Sequence, residues 1–411
     1  MRCGLLGEHL GHSFSPIIHA KIADYSYKLV ELAPDEVEAF IKSGTLDAFN
    51  VTIPYKKIVM PFLDGISPEA EAIGAVNTVV HGKDGKIYGY NTDYFGFDYM
   101  IRSAGMCIAG KKAVVFGTGG ASATVCAVLR DRGVRELVVI DRADNTPEVL
   151  SKHADAEIVV NTTPVGMYPN NGNAIVSLSH FPRCEGVLDV IYNPAKTALL
   201  LDAESRGISA VGGLSMLVAQ AVKAFEYFTG DVAEDGIIDT IIQAIARDTH
   251  NVILVGMPGC GKSTVGKLLA EMLGRPFFDA DDEFLTMYKK TPAEVIATEG
   301  EDRFRELEHA VLCELGKQSG AVIATGGGAV TRAYNYEPLH QNGIILFLDR
   351  DIDKLPISGR PLSQAKSPAQ LYRERIDAYH RFADHEVKTT ENPAQTVAIM
   401  LAIIQNHRYG T

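Results

Sequence analysis

The stretch Asn251 to Leu273, NVILVGMPGCGKSTVGKLLAEML, constrains this chain more than any other. An unbroken apolar run, Val252 to Val255, suits a strand buried on both faces, and Gly256, Gly259 and Gly261 let the loop behind it close around an anion. Lys262 then opens a helix whose apolar stripe (Val265, Leu268, Leu269, Met272) recurs at helical spacing and stops at Gly274, a C-terminal cap. The spacing G-x-x-x-x-G-K-S from Gly256 to Ser263 offers backbone N–H groups to phosphate oxygens, an ammonium to the outer phosphates and a hydroxyl to Mg2+. Strand, loop, Lys-Ser pair and helix agree, so the segment reads as a phosphate-binding loop rather than a glycine turn that binds nothing. Cys260 within it has two readings: a small shielded filler, or a thiol activated by the helix N-terminus and Lys262.

A chain of 411 residues exceeds one ordinary core and predicts two or three domains. Its net charge of -12 argues against nucleic acid or an anionic membrane as the main partner, because both reward a basic face. Small anions must then be met by local lysines and arginines. The cysteines (Cys3, Cys107, Cys126, Cys184, Cys260, Cys313) form no C-x-x-C pair, which predicts free thiols in a reducing cytoplasm rather than a disulfide framework or zinc site. No signal-peptide core opens the chain, and no apolar run approaches the ~18 residues of a membrane span.

From the N-terminus, strands (Gly4 to Leu6, Tyr27 to Leu32, Ala48 to Thr52) alternate with helices, which implies α/β layering. A hairpin follows, Ala75 to His81 and Ile87 to Tyr90, turning at Lys83-Asp84-Gly85. Three polar clusters stand out: HSFSP (His12 to Pro16), NVTIPYK (Asn50 to Lys56), and GAVNT (Gly74 to Thr78) with NTD (Asn91 to Asp93). Taken singly, they read as a helix cap, a turn and a solvated lysine. Together and in this order the sequence resembles shikimate dehydrogenase, through to about residue 246. The resemblance implies that Ser13 and Ser15 bind the substrate carboxylate, that Thr52, Asn77 and Asp93 hold its hydroxyls, and that Lys56 is the catalytic lysine. Reducing a ketone needs a hydride on carbon and a proton on the developing alkoxide, and a lysine oriented by an aspartate can supply the second.

Lys112 to Phe116 reads as a buried strand followed by Gly117-Thr118-Gly119-Gly120-Ala121 and a helix, the opening of a Rossmann unit. The next strand, Glu136 to Ile140, ends at Asp141, about 20 residues past the glycines, where a ribose-reading residue belongs. Asp141 suits a ribose 2'-OH, whereas Arg142 suits a 2'-phosphate. Family members that use NADP commonly carry Asn-Arg-Thr there. This chain departs from it at Asp141 but keeps Arg142, so NADP is expected, with NAD as the alternative. Further strands, Glu157 to Asn161 and Gly186 to Ile191, precede TTPVGM and Tyr192-Asn193-Pro194. Beyond Gly207, Gly212 and Gly213 lead into a helix, Ser215 to Tyr227. By resemblance, Tyr192 and Gln220 touch substrate and Gly213 touches cofactor.

Isoleucines at 237, 238, 241, 242 and 245 predict a last amphipathic helix, Ile237 to Ala246, and leave Arg247 to His250 as a linker reaching at most ~14 Å. Behind the phosphate loop come a strand ending FFDADDE, a helix from Glu301 to Leu315, a strand before Gly326-Gly327-Gly328, and the strand Gly343 to Asp349. This doubly wound unit resembles shikimate kinase over its whole length. That implies Asp279 near Mg2+ beside Ser263, and Asp281 on the substrate hydroxyl. Arg305 and Arg375 would grip the shikimate carboxylate over the Gly326 to Gly328 run. ATP would meet Gly259, Cys260, Gly261, Lys262, Ser263, Thr264 and a lid arginine, Arg360. Phosphoryl transfer is mostly positioning and charge neutralisation, which a lysine, a metal and a mobile arginine supply beside a carboxylate on the hydroxyl.

The expected architecture is α/β throughout. It comprises a dehydrogenase substrate domain (1–93 with 207–246), a Rossmann domain (94–206), a linker (247–250) and a P-loop kinase domain (251–411). The expected function is bifunctional: reduction of 3-dehydroshikimate to shikimate, then phosphorylation of shikimate by ATP, with Lys56, Asp93, Lys262 and Asp281 catalytic. Two alternatives are an NAD-dependent quinate or shikimate dehydrogenase joined to the same kinase, and a metabolite-sensing module with one inactive half.

Overall fold

A computed structural model describes residues 1–11, 13–355 and 367–409. His12 and the expected lid arginine Arg360 lie outside the described residues. The chain opens with β1 (Arg2–Gly7), α1 (Ser15–Ile22), β2 (Ser26–Glu31), α2 (Val37–Ser43), β3 (Ala48–Val51), β4 (Gly65–Ile66) and α3 (Pro68–Ile73). The hairpin of β5 (Thr78–His81) and β6 (Ile87–Tyr90) completes a mixed sheet in the order β2-β1-β3-β5-β6-β4. Gly85 closes the hairpin turn at φ 78, a left-handed conformation that glycine adopts without steric cost. Leu6, Phe49, Val51, Val76 and Val79 bury one face of this sheet, so the alternate polar residues of β3 and β5 are directed to the other.

Helix α4 (Thr92–Ser103) carries the chain across to a second sheet of β7 (Lys112–Phe116), β8 (Glu136–Ile140), β9 (Ile158–Asn161), β10 (Gly186–Asp189) and β11 (Ser209–Gly212). All its pairs are parallel, in the order β11-β10-β9-β7-β8, with α5 (Gly120–Asp131), α6 (Pro147–Ser151) and α7 (Ala198–Ser205) in the crossovers. Strand order reverses between β7 and β9, the place where open α/β sheets bind ligands beyond the strands' C-terminal ends. Alternate residues of β7 feed separate cores, Ala113 and Val115 on one face and Val114 and Phe116 on the other. The expected boundary at 207 therefore needs correcting: residues 209–212 pair with β10 and belong to the cofactor sheet.

The chain returns through α8 (Leu214–Thr229), which packs along α4 so closely that a side chain on Gly96 would stand 2.6 Å from Met216 O. Helix α9 (Ile237–Thr249) then seals Ile241 and Ile245 against Ile18, Val218 and Val222. The last sheet, β13-β14-β12-β15-β16, is again all parallel. Its strands are β12 (Asn251–Val255), β13 (Phe277–Asp279), β14 (Val322–Ala324), β15 (Gly343–Asp349) and β16 (His385–Lys388). Every residue of β12 and of β15 is buried, as expected of central strands covered on both faces. Around them lie α10 (Lys262–Leu273), α11 (Ala280–Tyr288), α12 (Pro292–Glu299), α13 (Glu301–Gly316), α14 (Tyr336–His340), α15 (Pro368–Phe382) and α16 (Pro393–Asn406).

Residues 247–249 of the expected linker form the last turn of α9, and His250 alone separates that helix from β12. The halves are docked, with the N-terminal ends of β12 and β15 at the seam. Tyr409 lies across it: its ring packs 4.9 Å from that of His250, while its backbone exchanges two hydrogen bonds with the Gln243 side chain, at 2.7 and 3.0 Å.

Candidate active sites

In the first half the polar clusters converge at the edge of the mixed sheet facing the second. Lys56 Nζ donates to Asp93 Oδ2 at 2.6 Å, so the two residues predicted to work together are in contact. Asp93 sits in the first turn of α4, which Asn91 caps by accepting from Tyr94 N; the NTD sequence therefore builds the helix start and aims the carboxylate at once. Asn77 is buried, and its Oδ1 accepts from Thr92 N at 2.7 Å and Thr78 Oγ1 at 3.0 Å. Asn50 donates to Thr78 Oγ1 at 3.1 Å and accepts from Tyr27 OH at 2.8 Å, while Thr92 Oγ1 reaches Gln220 Oε1 at 3.3 Å. Gln220 is thus joined to the cluster rather than being an incidental polar residue on α8. Sequence reasoning assigned no role to Asn50 and Thr92, although both stand inside the motifs. Their signal was a polar residue at a position the strand pattern buries.

Ser13 Oγ accepts from Ser15 N at 3.2 Å, and between them the Phe14 ring packs 5.2 Å from that of Tyr192. Thr52 N donates to Leu6 O, which holds the end of β3 beside β1.

At the second sheet, Gly117 lies at φ 108 and a side chain there would meet Thr162 Oγ1 at 2.6 Å, so the turn is pressed against the loop behind β9. Thr118 is exposed, and added side chains at Gly119 and Gly120 would meet nothing within 4 Å. The start of α5, with Ala121 in its first turn, therefore presents free N–H groups to open space, a seat that fits a dinucleotide pyrophosphate. Asp141 Oδ1 accepts from Ala143 N at 2.7 Å and Asp144 N at 2.8 Å, fixing the turn that displays the exposed Arg142. Gly213 begins α8 where any side chain would lie 2.1 Å from Val190 O.

The sequence missed Asp189. It is buried at the end of β10 and accepts from Asn161 Nδ2, Ile191 N and Thr197 Oγ1. Burial pushes its carboxyl up to about 6 despite those donors.

In the last half Gly256, Gly259 and Gly261 all have positive φ, as the loop requires. Lys262 is buried, its Nζ donating to Gly256 O at 2.9 Å and Met257 O at 3.1 Å. Ser263 Oγ donates to Asp279 Oδ2 at 2.6 Å, with Thr264 exposed next to it on α10. Hydroxyl and carboxylate together at the loop fit Mg2+. Among the described residues no cluster of three His, Cys, Asp or Glu could hold a metal alone, so phosphate and water must complete the shell. Cys260 is 1 % exposed, which favours the filler reading.

Arg305, 2 % exposed, donates to Glu308 at 2.6 Å and Glu301 at 3.1 Å; burial opposes its charge, but the carboxylates outweigh it and hold its pKa above the ordinary value. Its guanidinium lies under Gly328, where a side chain would meet Nη2 at 2.2 Å. Arg375 Nη1 and Tyr379 OH both donate to Gly327 O, at 3.1 and 2.6 Å. A side chain on Gly326 would touch Glu308 Oε1 at 2.6 Å and lie 3.6 Å from Asp281 Oδ1. The glycine run is thus the floor of a bowl walled by Asp281, Arg305 and Arg375. Neither arginine is the surface salt-bridge partner that its helical position alone would suggest.

Comparison with known proteins agrees in both halves. A family model described as the shikimate dehydrogenase substrate binding domain matches residues 5–79, and one described as shikimate kinase matches residues 258–405. A Clostridium perfringens protein named shikimate dehydrogenase (NADP(+)) is 41% identical over 252 residues, 55% of this chain and 92% of its own length. The solved shikimate dehydrogenase 1 of Peptoclostridium difficile is 39% identical with a TM-score of 0.54, over 59% of this chain and 97% of its own. A chorismate mutase/shikimate 5-dehydrogenase fusion from Clostridium acetobutylicum is 34% identical with a TM-score of 0.55, over 59% of this chain and 96% of its own. With 92% of the Clostridium perfringens relative covered at 41% identity and the kinase model matched behind it, the chain belongs to the shikimate dehydrogenase family and carries a shikimate kinase domain.

Proposed function

We propose that this chain reduces 3-dehydroshikimate to shikimate with NADPH and then phosphorylates the new 3-hydroxyl with ATP, so that both halves act on one oxygen atom. The observation that carries the reading is the Lys56–Asp93 contact of 2.6 Å in a chain that also holds the Asp281, Arg305 and Arg375 bowl. Ser13 and Ser15 take the ring carboxylate. Thr52, Asn77, Asp93, Tyr192 and Gln220 hold the hydroxyls and ring face. Lys56 gives its proton to the alkoxide as it forms, with Asp93 fixing the ammonium in line. NADPH, bound along the start of α5 by Gly117 to Ala121 and Gly213, supplies the hydride.

In the kinase half Arg305 and Arg375 take the same carboxylate, and Asp281 orients the hydroxyl toward the phosphate. Lys262 leaves the carbonyls of Gly256 and Met257 for phosphate oxygens, while Ser263 and Asp279 hold Mg2+, which neutralises charge on the transferring group. Gly259, Cys260, Gly261 and Thr264 line the nucleotide side, and Arg360 is the proposed lid residue. NADP is favoured over NAD because Arg142 is exposed on a turn that Asp141 itself ties down; the Clostridium perfringens relative is named for NADP. Small-molecule metabolites are the partners, and the cytoplasm is the proposed setting; among the described residues no helix is long and apolar enough to cross a membrane.

Purified protein given 3-dehydroshikimate with NADPH or NADH, then ATP and Mg2+, tests the whole reading. Oxidation of NADPH in preference to NADH followed by shikimate 3-phosphate is expected. Binding of either substrate without turnover would instead favour a sensing module.

A further inference from the structure

Among the described residues, the kinase half touches the loops of the dehydrogenase crevice through residues 340–342, the end of α14 and the turn that leads to β15. Asn342 Oδ1 accepts from Ala195 N at 2.8 Å, and Gln341 O accepts from Lys196 N at 2.8 Å. Gln341 Oε1 accepts from Asn171 Nδ2 at 2.8 Å. His340 Nε2 lies 2.8 Å from Lys196 Nζ, and both face Glu204. The turn is buried throughout, with His340 3%, Gln341 5% and Asn342 7% exposed. The two loops it holds follow β9 and β10, on the side of the sheet's reversal point where ligands are bound. The second of them begins at Tyr192, whose ring packs on Phe14 between the paired serines. That loop is anchored on its own half through Ile191 O, which accepts from Gly213 N, and Asn193 O, which accepts from Tyr168 N. Beyond Asn193, the backbone N–H groups of Ala195 and Lys196 both end on the kinase half.

We propose that Asn342, by its side chain, and Gln341, by its backbone carbonyl, although they belong to the kinase half, take part in ketone reduction as positioning residues: they fix the loop that sets Tyr192 against the bound ketone acid. The inference rests on the dehydrogenase reading above and on the role given there to Tyr192. A loop that loses its holds at Ala195 and Lys196, with Thr197 still bound to Asp189, keeps Tyr192 but samples more orientations, so substrate binding weakens while the chemistry of Lys56 and Asp93 is untouched.

The test uses the full chain with Asn342→Ala, Asn342→Asp and Ala195→Pro. For each, kcat and KM are measured for 3-dehydroshikimate and for shikimate phosphorylation, with hydrogen exchange followed over residues 191–197. Asn342→Ala should raise KM for 3-dehydroshikimate about 3- to 10-fold, as loss of one hydrogen bond does, with kcat nearly unchanged. Exchange at Ala195 should quicken, and phosphorylation should stay at its wild-type rate. Asn342→Asp keeps the acceptor for Ala195 N but gives up the donor to Gly316 O, so its KM should lie between those of the wild type and the alanine variant. Asn342 also donates to Gly316 O, so if its alanine variant does not fold, Ala195→Pro, which removes the N–H from the other side of the same bond, is read in its place. An unchanged KM in a folded alanine variant, an aspartate variant whose KM is as high as that of alanine, or parallel loss of both activities would overturn the proposal. Absence of ketone reduction in the wild type would sink the functional reading and the positioning role with it. An active wild type with an indifferent variant sinks the positioning role alone.

Discussion

Lys56 and Lys262 are chemically alike, yet their surroundings give them different work. Lys56 keeps one carboxylate partner and is partly open to the crevice, whereas Lys262 lies buried against two backbone carbonyls of its own loop. Lys56→Met should lower ketone reduction by about 10²- to 10⁴-fold, the range for loss of a general acid, and leave phosphorylation of added shikimate near wild type. Lys262→Met should do the reverse; loss of both activities in one folded variant would refute separate sites. Asp141 sets a subtler balance. Its Oδ1 is spent on Ala143 N and Asp144 N, an arrangement that asparagine can reproduce without the charge. Asp141→Asn should therefore keep the turn and raise the preference for NADP over NAD about 2- to 5-fold, the scale of a single exposed charge. An unchanged ratio of kcat/KM values for the two cofactors would place the carboxylate away from the ribose.

At the scale of elements, central strands were legible because burial on both faces leaves unbroken apolar runs: β7 and β15 begin and end where their side chains predict, and so does the edge strand β8, which is apolar though only half-buried. The phosphate loop was legible for another reason, since backbone geometry and chemistry both demand the same glycines and the same lysine. What the sequence hid was tertiary. β11 reads as a stretch before a helix, and only its pairing with β10 assigns it to the cofactor sheet. Asp189 looks like an ordinary strand end until three donors are seen around it. Arg305 and Arg375 look like solvated helix residues until the glycine floor brings them together.

The seam was equally hidden, because α7 and α14 are joined by polar residues far apart in sequence. Glu204 on α7 is held down to about 2 by its hydrogen bonds to His340 and Lys196, below the usual carboxylate value. A depressed carboxyl contributes stability that is present above about 4.5, its ordinary range, and lost as pH falls toward 2. With 43% of the Glu204 side chain exposed, solvent screening keeps that contribution below about 1 kcal/mol. Wild type should thus resist urea slightly better than Glu204→Gln at neutral pH, and the two midpoints should converge as the medium is acidified through that window. A gap that persists at pH 2 would assign the difference to packing.

The whole molecule is three parallel or mixed sheets in series, with the last joined to the others by one residue and a set of side-chain contacts rather than by a long tether. Only His250 lies between α9 and β12, and Gln243, Tyr409, Lys196 and Asn342 close the contact on either side of it. This docking turns the beginnings of β12 and β15 toward the dehydrogenase. The phosphate loop and the arginine bowl stand at the other ends of these strands, some 15 to 20 Å further on at the rise of an extended chain. Shikimate made in the first crevice is therefore expected to enter the surrounding water and to compete there with all other shikimate before it is phosphorylated. Labelled 3-dehydroshikimate, supplied with both cosubstrates and a large unlabelled shikimate pool, should give shikimate 3-phosphate carrying the pool's low label, and product that keeps the label of the ketone would contradict this. What the covalent union of the two enzymes secures is equal numbers, one kinase made for every dehydrogenase.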